Sequence, residues 1–491
     1  MATRLSLANL GSLPENVARP IYSRDRLSCG IVHFGVGNFH RAHQAVYLDA
    51  LFAKGRDHDW AIVGTGVMSG DAKACEILAG QDYLTTVVEQ DATHSTARVT
   101  GAMIAMIKPR DTAAQLARLV DPATRIVSLT ITEGGYLVDP ATGTFDPTHP
   151  AVVADAAAPD RPKTIFGLIS SALRQRRKTG IAPFTVMSCD NVPHNGVVAR
   201  NAVAGLTRLF DPELAEWITA EVAFPNSMVD RITPATSERE RRLLTENFGV
   251  EDNWPVFCEP FSQWVLEDQF PAGRPALETV GVEFVRDVGP YETMKIRILN
   301  GGHAIIAYPA GLLGIHFVHD AMAEPIIAAF LDKVTRDEII PILPPVPNTN
   351  HDDYHGLIRR RFANPKIGDT ITRLCLDGSS RQPKFIVPTI ADRLDRGMPV
   401  DGLALESALW CRYCYGETEA GEVIAPNDPN WDRLQSVARM AKDNASAWLG
   451  MTDIYGALGQ QPVFAAAFSH AITALWRDGV FTSLRRYVDS A

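Results

Sequence analysis

The sequence predicts an α/β protein, with a strand-and-helix N-terminal domain over residues 1–284 and a mostly α-helical C-terminal domain over 285–491. Three observations predict it. Strand-length apolar runs alternate with helical stretches through the first half of the chain, the pattern of a largely parallel sheet with helices on both faces. From about residue 285 that alternation gives way to one helical stretch after another. A chain of 491 residues also exceeds what one core of typical size organises, so two domains are expected.

In chain order, Cys29–Phe34 is the first apolar run. Gly35-Val-Gly37-Asn-Phe39-His40-Arg41-Ala-His43 follows and leads into helical residues Gln44 to Leu51. Strand, glycine turn, then helix is the setting in which a glycine fingerprint signals a bound dinucleotide. Gly35 and Gly37 would let the backbone approach a pyrophosphate, and the helix N-terminus offers unpaired N–H groups to the anion. His40 stands where the third glycine of G-x-G-x-x-G would be, and Arg41 could reach phosphate directly. A plain tight turn is the alternative. Further strands are expected at Trp60–Val67, Tyr83–Glu89, Ala97–Met103, Arg125–Ile131, Thr185–Ser188 and Glu221–Phe224, with a helix at Thr164–Arg177. Ligands bind beyond the carboxyl ends of parallel strands. Polar clusters fall where such ends should be, at 69–71, 130–136, 189–191 and 229–234. His33, His40 and His43 crowd the glycine turn without sharing one element, and read as structural or supporting residues.

In the second half, Pro290–Tyr308, Met322–Val334, Asp352–Phe362, Ile390–Arg396, Leu403–Tyr415, Asp432–Leu449 and Gln461–Asp478 read as helices. The proline-rich run 341–347 reads as a turn or extended connection. The first helix is the most informative, and proline suits its opening turn. At about 100° per residue, Asn300 lies roughly 140° and His303 roughly 80° round from Lys295, with Glu292 at about 60°. One broad face presents an acid, an amine, an imidazole and an amide. Gly301 and Gly302 fall mostly on the other side, where missing side chains would admit another backbone. An ordinary amphipathic helix with a solvated polar face is the plainer alternative. This helix sits near the domain junction, so a crevice there is the expected site.

Composition narrows the function classes. Hydrophobic content of 46% and charged content of 21% suit a soluble globular enzyme. A formal net charge of −10 with no long basic run gives nucleic acid or an acidic membrane no electrostatic basis for binding. The first residues lack a signal-peptide apolar core, and no apolar run reaches about 18 residues, so a cytoplasmic protein with no membrane span is expected. The seven cysteines are scattered and odd in number, which fits reduced thiols. Cys411-x-x-Cys414 lies in an apolar helical stretch with no second pair or His pair at zinc spacing, so core packing and no metal are expected.

Five segments taken together carry a resemblance: Phe34–His43, Leu129–Tyr136, Val186–Gly196, Met228–Pro234 and the Lys-x4-Asn-x2-His run at 295–303. On them the chain resembles the polyol-specific long-chain dehydrogenases over nearly its whole length. The resemblance implies a Rossmann-type N-terminal domain, an α-helical C-terminal domain, and NAD as cofactor. It further implies metal-independent, reversible oxidation of a polyol to a ketose, D-mannitol to D-fructose, by a monomer.

The chemistry follows from the residue types. Oxidising a secondary alcohol requires loss of the hydroxyl proton and transfer of hydride to the nicotinamide. A neutral lysine can take the proton if neighbouring cations and partial desolvation lower it from about 10.4. Asparagine amides stabilise the alkoxide without a proton change of their own. The resemblance assigns the base to Lys295 and the oxyanion hole to Asn191 with Asn300. His303 would orient substrate or Lys295. Glu292 would pass the proton to solvent, with a surface i,i+3 ion pair as its alternative. By resemblance Asp230 and Arg373 bind substrate hydroxyls, and a basic residue of the loop Asp377–Lys384 does too, leaving Arg381 and Lys384 both candidates. Gly35, Gly37, Phe39, His40, Arg41, Thr132 and Glu133 are expected to line the cofactor. Asp71, just beyond the second strand, should accept from the adenosine ribose and repel a 2′-phosphate, favouring NAD. It stands about 35 residues from the glycine turn, against roughly 20 in the usual fingerprint. Alternatives carried forward are another polyol or uronate oxidoreductase of the family (D-arabinitol dehydrogenase, fructuronate reductase) and a non-catalytic NAD-binding protein.

Overall fold

The computed structural model describes residues 2–66, 68, 70–138 and 144–490. Ser69, part of the polar cluster expected after the second strand, lies outside them. The chain divides into two compact units, Met1–Val288 and Gly289–Ala491.

The first unit is built on a five-stranded sheet in which every pairing is parallel. Its spatial order is Met103–Ile107, Ala61–Thr65, Cys29–Phe34, Ile126–Leu129, Thr185–Ser188. Phe34 lies opposite both Thr65 and Leu129, and Leu129 opposite Ser188. Four strands therefore end in line, and the polar segments that follow them share one edge. The strands are short and apolar because both faces are covered. Val32, Val127 and Val186 pack with Phe166, Ile169, Leu173 and Val203 from the helices Ile165–Thr179 and Asn195–Arg208. Ile31, Ile62 and Met187 enter a second cluster with Leu48, Leu51 and Phe52 of the helix Gln44–Ala53.

Three strand expectations are corrected. Thr85–Gln90 and Ser95–Thr100 leave the parallel sheet and pair antiparallel in a separate four-stranded one. Only residues 91–94 join them, far short of the dozen or so that a parallel crossover needs. Asp91 closes the turn, its carboxylate accepting from the N–H groups of Thr93 and His94. The stretch expected as one strand at Ala97–Met103 is two, because Met103–Ile107 begins a separate strand in the five-stranded sheet. Glu221–Phe224 forms no strand: the helix Pro212–Glu221 takes its first residue, and Ala223 then accepts one bond from Val186. A further sheet, Ser227–Asp230, Gln263–Glu267 and Glu283–Val285, was not expected.

The second unit is helical. At its centre Asp401–Cys414, buried from Gly402 onward, packs on the helical run Pro462–Asp489, which is broken by a kink at Gly479 (φ 82, ψ 171). Cys411 and Cys414 lie within that buried run as free thiols. Two expectations change here. The segment Asp377–Lys384 is not a loop but the helix Gly378–Phe385, entered through Asp377 at φ 57. The helix at 290–308 is not uniformly α: Gly289–Met294 and Gly301–Leu312 are α-helical, and Lys295–Asn300 between them is a π-helical turn. Among the described residues no helix is long and apolar enough to cross a membrane.

Candidate active site

In the first unit the site begins at the glycine turn. Gly35 holds φ +93, and a Cβ there would stand 1.9 Å from the Thr130 carbonyl oxygen. Only glycine fits that position. Gly37 is different: the nearest atom to a Cβ would be the Gly35 oxygen at 3.8 Å, so its side is open. An open backbone at the carboxyl edge of a parallel sheet, beside the start of a helix, is a cradle that a dinucleotide pyrophosphate fits.

The turn is fixed from beneath. His33 Nε2 lies 3.0 Å from Thr130 Oγ1 and 3.2 Å from the Gly35 oxygen, while its Nδ1 lies 2.8 Å from Ser128 Oγ. Burial pulls His33 down to about 3, so the ring is neutral. His40 stacks on it with ring centres 3.5 Å apart, and burial holds His40 well below its ordinary value. His40 is thus part of the floor of the turn. Phe39 stacks on His43.

Arg41 departs from the expected phosphate contact. It is buried over the Trp254 ring at 3.8 Å. Its donors reach the Gly37 and Trp254 carbonyls and Asn38 Oδ1. The arginine braces the turn from inside, with its guanidinium drawn over the Trp254 ring. Asn38 in turn donates to the Pro234 carbonyl at 2.9 Å, tying the turn to the segment after Asp230. Asp71 opens the helix Asp71–Ala79 after the second strand, half-buried, and accepts from Met68 N–H at 2.9 Å.

Thr132 and Glu133 are exposed in the segment after Ile126–Leu129, and Asn191 is exposed just beyond Thr185–Ser188. Thr132 is held at φ 66, ψ 165, a region costly for a β-branched residue. Asp230 ends its strand opposite Gln263 and is 6% exposed.

In the second unit the π turn changes the expected geometry. Gly301 N–H bonds to the Ile296 carbonyl, a step of five residues. In such a turn residues five apart come nearly above one another. Lys295 and Asn300, five apart, are therefore closer in angle than a uniform α-helix would place them. Lys295 and Glu292 are buried, at 6% and 7% exposure. Asn300 Oδ1 and His303 Nε2 are buried atoms with no hydrogen-bond partner. His303 stacks on Phe362 with ring centres 4.2 Å apart. Burial, reinforced by the positive charges of Arg373, Arg361 and Arg381, holds its imidazole well below the usual value. The two glycines have no tight neighbour: a Cβ would meet Phe385 O at 3.6 Å from Gly301 and Leu331 Cδ1 at 3.4 Å from Gly302. The Phe385 backbone does lie against Gly301, at a distance that an alanine would tolerate, while Gly302 faces side chains.

The three cations expected to meet substrate differ in their partners. Arg373 is exposed and forks onto Asp369 through Nε and Nη2. Arg381 Nη1 donates to the Leu374 carbonyl at 2.9 Å and Arg373 O at 3.4 Å, joining the two short helices that carry these arginines. Lys384 is exposed and is not among the charges acting on His303. Arg361, on the helix His351–Phe362, is a further charge acting on His303 that sequence reasoning missed; the run Arg359-Arg-Arg361 was its only signal. Among the described residues no three His, Cys, Asp or Glu side chains are grouped to hold a metal ion.

Two domain families match the chain: the mannitol dehydrogenase Rossmann domain over residues 29–279 and the mannitol dehydrogenase C-terminal domain over 287–476. A mannitol 2-dehydrogenase of Cereibacter sphaeroides is 60% identical over 477 residues, spanning 97% of this chain and 100% of the relative. One from Aspergillus clavatus is 41% identical, spanning 96% and 95%. Among solved structures, the Pseudomonas fluorescens mannitol 2-dehydrogenase ternary complex with NAD and D-mannitol superposes with a TM-score of 0.89 at 44% identity, covering 99% of this chain and 100% of that one. A D-sorbitol dehydrogenase in substrate-free form gives 0.90 at 37% identity, covering 98% and 100%. A glycine cradle on a parallel sheet, a buried lysine on a π turn and matches across both units lead to one conclusion: the chain belongs to the mannitol dehydrogenase family.

Proposed function

We propose that this chain is an NAD-dependent mannitol 2-dehydrogenase that reversibly oxidises D-mannitol to D-fructose with Lys295 as general base and no metal. The observation that carries the reading is the π turn Lys295–Asn300: it holds a buried amine, and Asn300 at its end and His303 just after it each keep a buried atom without a partner. Buried polar atoms without partners are costly, and a polyol hydroxyl satisfies both kinds.

NAD, when bound, supplies the hydride acceptor. The chain's own residues handle the proton and the oxygen. Lys295 is buried and acts as the base in its neutral amine form. Lys295 Nζ accepts the C2 hydroxyl proton, and Glu292, one turn earlier, passes it on to solvent. The amides of Asn191 and Asn300 donate to the developing alkoxide. His303, kept neutral by its burial and by the positive charge around it, orients the hydroxyl without competing for the proton. Asp230 and Arg373 take further hydroxyls, Arg373 with the guanidinium edge that its fork onto Asp369 leaves over. Arg381 is favoured over Lys384, since its charge acts on His303. Asp71 reads the adenosine ribose and selects NAD. The reading takes the enzyme as a cytoplasmic monomer.

The test is NADH formation over a panel of D-mannitol, D-sorbitol and D-arabinitol, with D-fructose and D-fructuronate in reverse, each repeated with the NADP couple. The highest kcat/KM is expected for D-mannitol with NAD. A lead of another substrate by more than about tenfold, ~1.4 kcal/mol, would reassign the substrate. NADH binding with no turnover of any member would leave only a binding protein.

A further inference from the structure

Asp190 stands between two parts of the proposed site and belongs to neither. It lies beyond the strand Thr185–Ser188, directly before Asn191, and is 8% exposed. Its carboxylate reaches across to the segment after the neighbouring strand. Oδ2 accepts from Ile131 N–H at 2.9 Å and from Tyr136 OH at 2.7 Å, and Oδ1 accepts from Thr132 N–H at 2.8 Å. Its backbone is fixed as well: the carbonyl accepts from Asn195 Nδ2 at 3.0 Å, and that side chain also bonds Ser227. Tyr136 is buried and shares its hydroxyl with Ser188 Oγ. The bond to Thr132 falls on a threonine at positive φ, a conformation that persists only where surroundings enforce it.

We infer that Asp190 is a positioning residue that ties the cofactor segment Thr132–Glu133 to the alkoxide donor Asn191, so that one carboxylate sets both. The inference rests on the reading of Asn191 as that donor. All three bonds need an acceptor. An amide in place of the carboxylate turns one oxygen into a donor, which would face a peptide N–H or the tyrosine hydroxyl. One of the two segments must then shift.

The experiment uses the full chain with Asp190→Asn, Asn191→Ala and the double variant, measuring the NADH dissociation constant and kcat for D-mannitol. Asp190→Asn is expected to weaken NADH and lower kcat, each by about tenfold. Asn191→Ala should lower kcat and leave NADH affinity unchanged. If Asp190 acts through Asn191, the double variant's kcat stays within about threefold of Asn191→Ala, because coupled sites are not additive. A merely structural Asp190 would multiply the two losses, and that result overturns the inference, as does Asp190→Asn with normal NADH affinity and kcat. Asn191→Ala with undiminished kcat would sink the donor reading instead, and the NADH arm would still test the tether. Should Asp190→Asn fail to fold, Tyr136→Phe keeps both backbone bonds and carries the same comparison at smaller amplitude.

Discussion

Lys295 and Asn300 are the residues on which the proposed chemistry depends. Lys295→Ala removes the proton acceptor and leaves the glycine cradle intact. Its kcat should fall on the order of 10²–10⁴-fold, the range of a positioned general base, while NADH binding is retained. A small primary amine added to the assay should restore part of the rate. Near-normal kcat at neutral pH would remove lysine from the role. Asn300→Ala should cost about 2.7–4 kcal/mol of transition-state stabilisation in both directions, since alkoxide and polarised carbonyl share the donor. A change in KM alone would mark Asn300 as a uniform binding contact. The types of these residues and their spacing were legible in the chain. The orphaned atoms of Asn300 and His303 were not, because whether a polar atom finds a partner depends on helices more than fifty residues away. Arg41 shows the opposite limit. A guanidinium beside a glycine turn reads as a phosphate ligand, yet Trp254, over two hundred positions on, draws it inward.

At the scale of elements, the two glycines of the cradle separate structure from binding. Gly35→Ala forces a Cβ into the Thr130 carbonyl at a positive φ. Backbone strain of that kind alone costs on the order of 1–3 kcal/mol, so thermal stability should drop together with NADH binding. Gly37→Ala meets nothing nearer than 3.8 Å. It should melt close to wild type and still bind NADH more weakly, because the new methyl occupies the cradle itself. Equal losses of stability in both variants would show that Gly37 is a folding glycine and not a binding one. Strand–turn–helix order made this element readable from sequence, and Cys29–Phe34 and Thr185–Ser188 are strands as expected. The π turn was not readable. A uniform angle per residue assumes i→i+4 bonding, and a single wider turn leaves the apolar spacing on either side helical. The hairpin at 85–100 misled for a related reason: strand pattern reports burial, whereas pairing direction is set by the link.

Across the second unit, the buried acid Glu406 makes stability depend on pH. It sits in the apolar helix Asp401–Cys414 with no exposure, and Gln382 Nε2 donates to its Oε1 at 2.6 Å while Oε2 finds no partner. Gln382 belongs to the helix Gly378–Phe385 that carries Arg381, so this contact joins the core to a proposed substrate element. A lone acid inside an apolar helical run was visible in the sequence; its amide partner, on another helix, was not. Burial pushes the carboxyl up to about 8 from an ordinary 4.5. A carboxyl raised in the folded state binds its proton more tightly there than in the unfolded chain. Its full contribution is present below the unfolded value and is lost as pH rises through the folded one, by up to about 1.4 kcal/mol per pH unit. Glu406→Gln removes the titration and keeps an acceptor for Gln382, with an amide donor available to the unpartnered Gln382 Oε1. The variant should therefore gain in melting temperature over wild type as pH is raised from 5 to 8, with little further gain above. Melting curves of the full chain across that range decide it. A difference between variant and wild type that stays constant with pH would mean that Glu406 is already ionised in the folded protein and that its charge is met by groups other than Gln382.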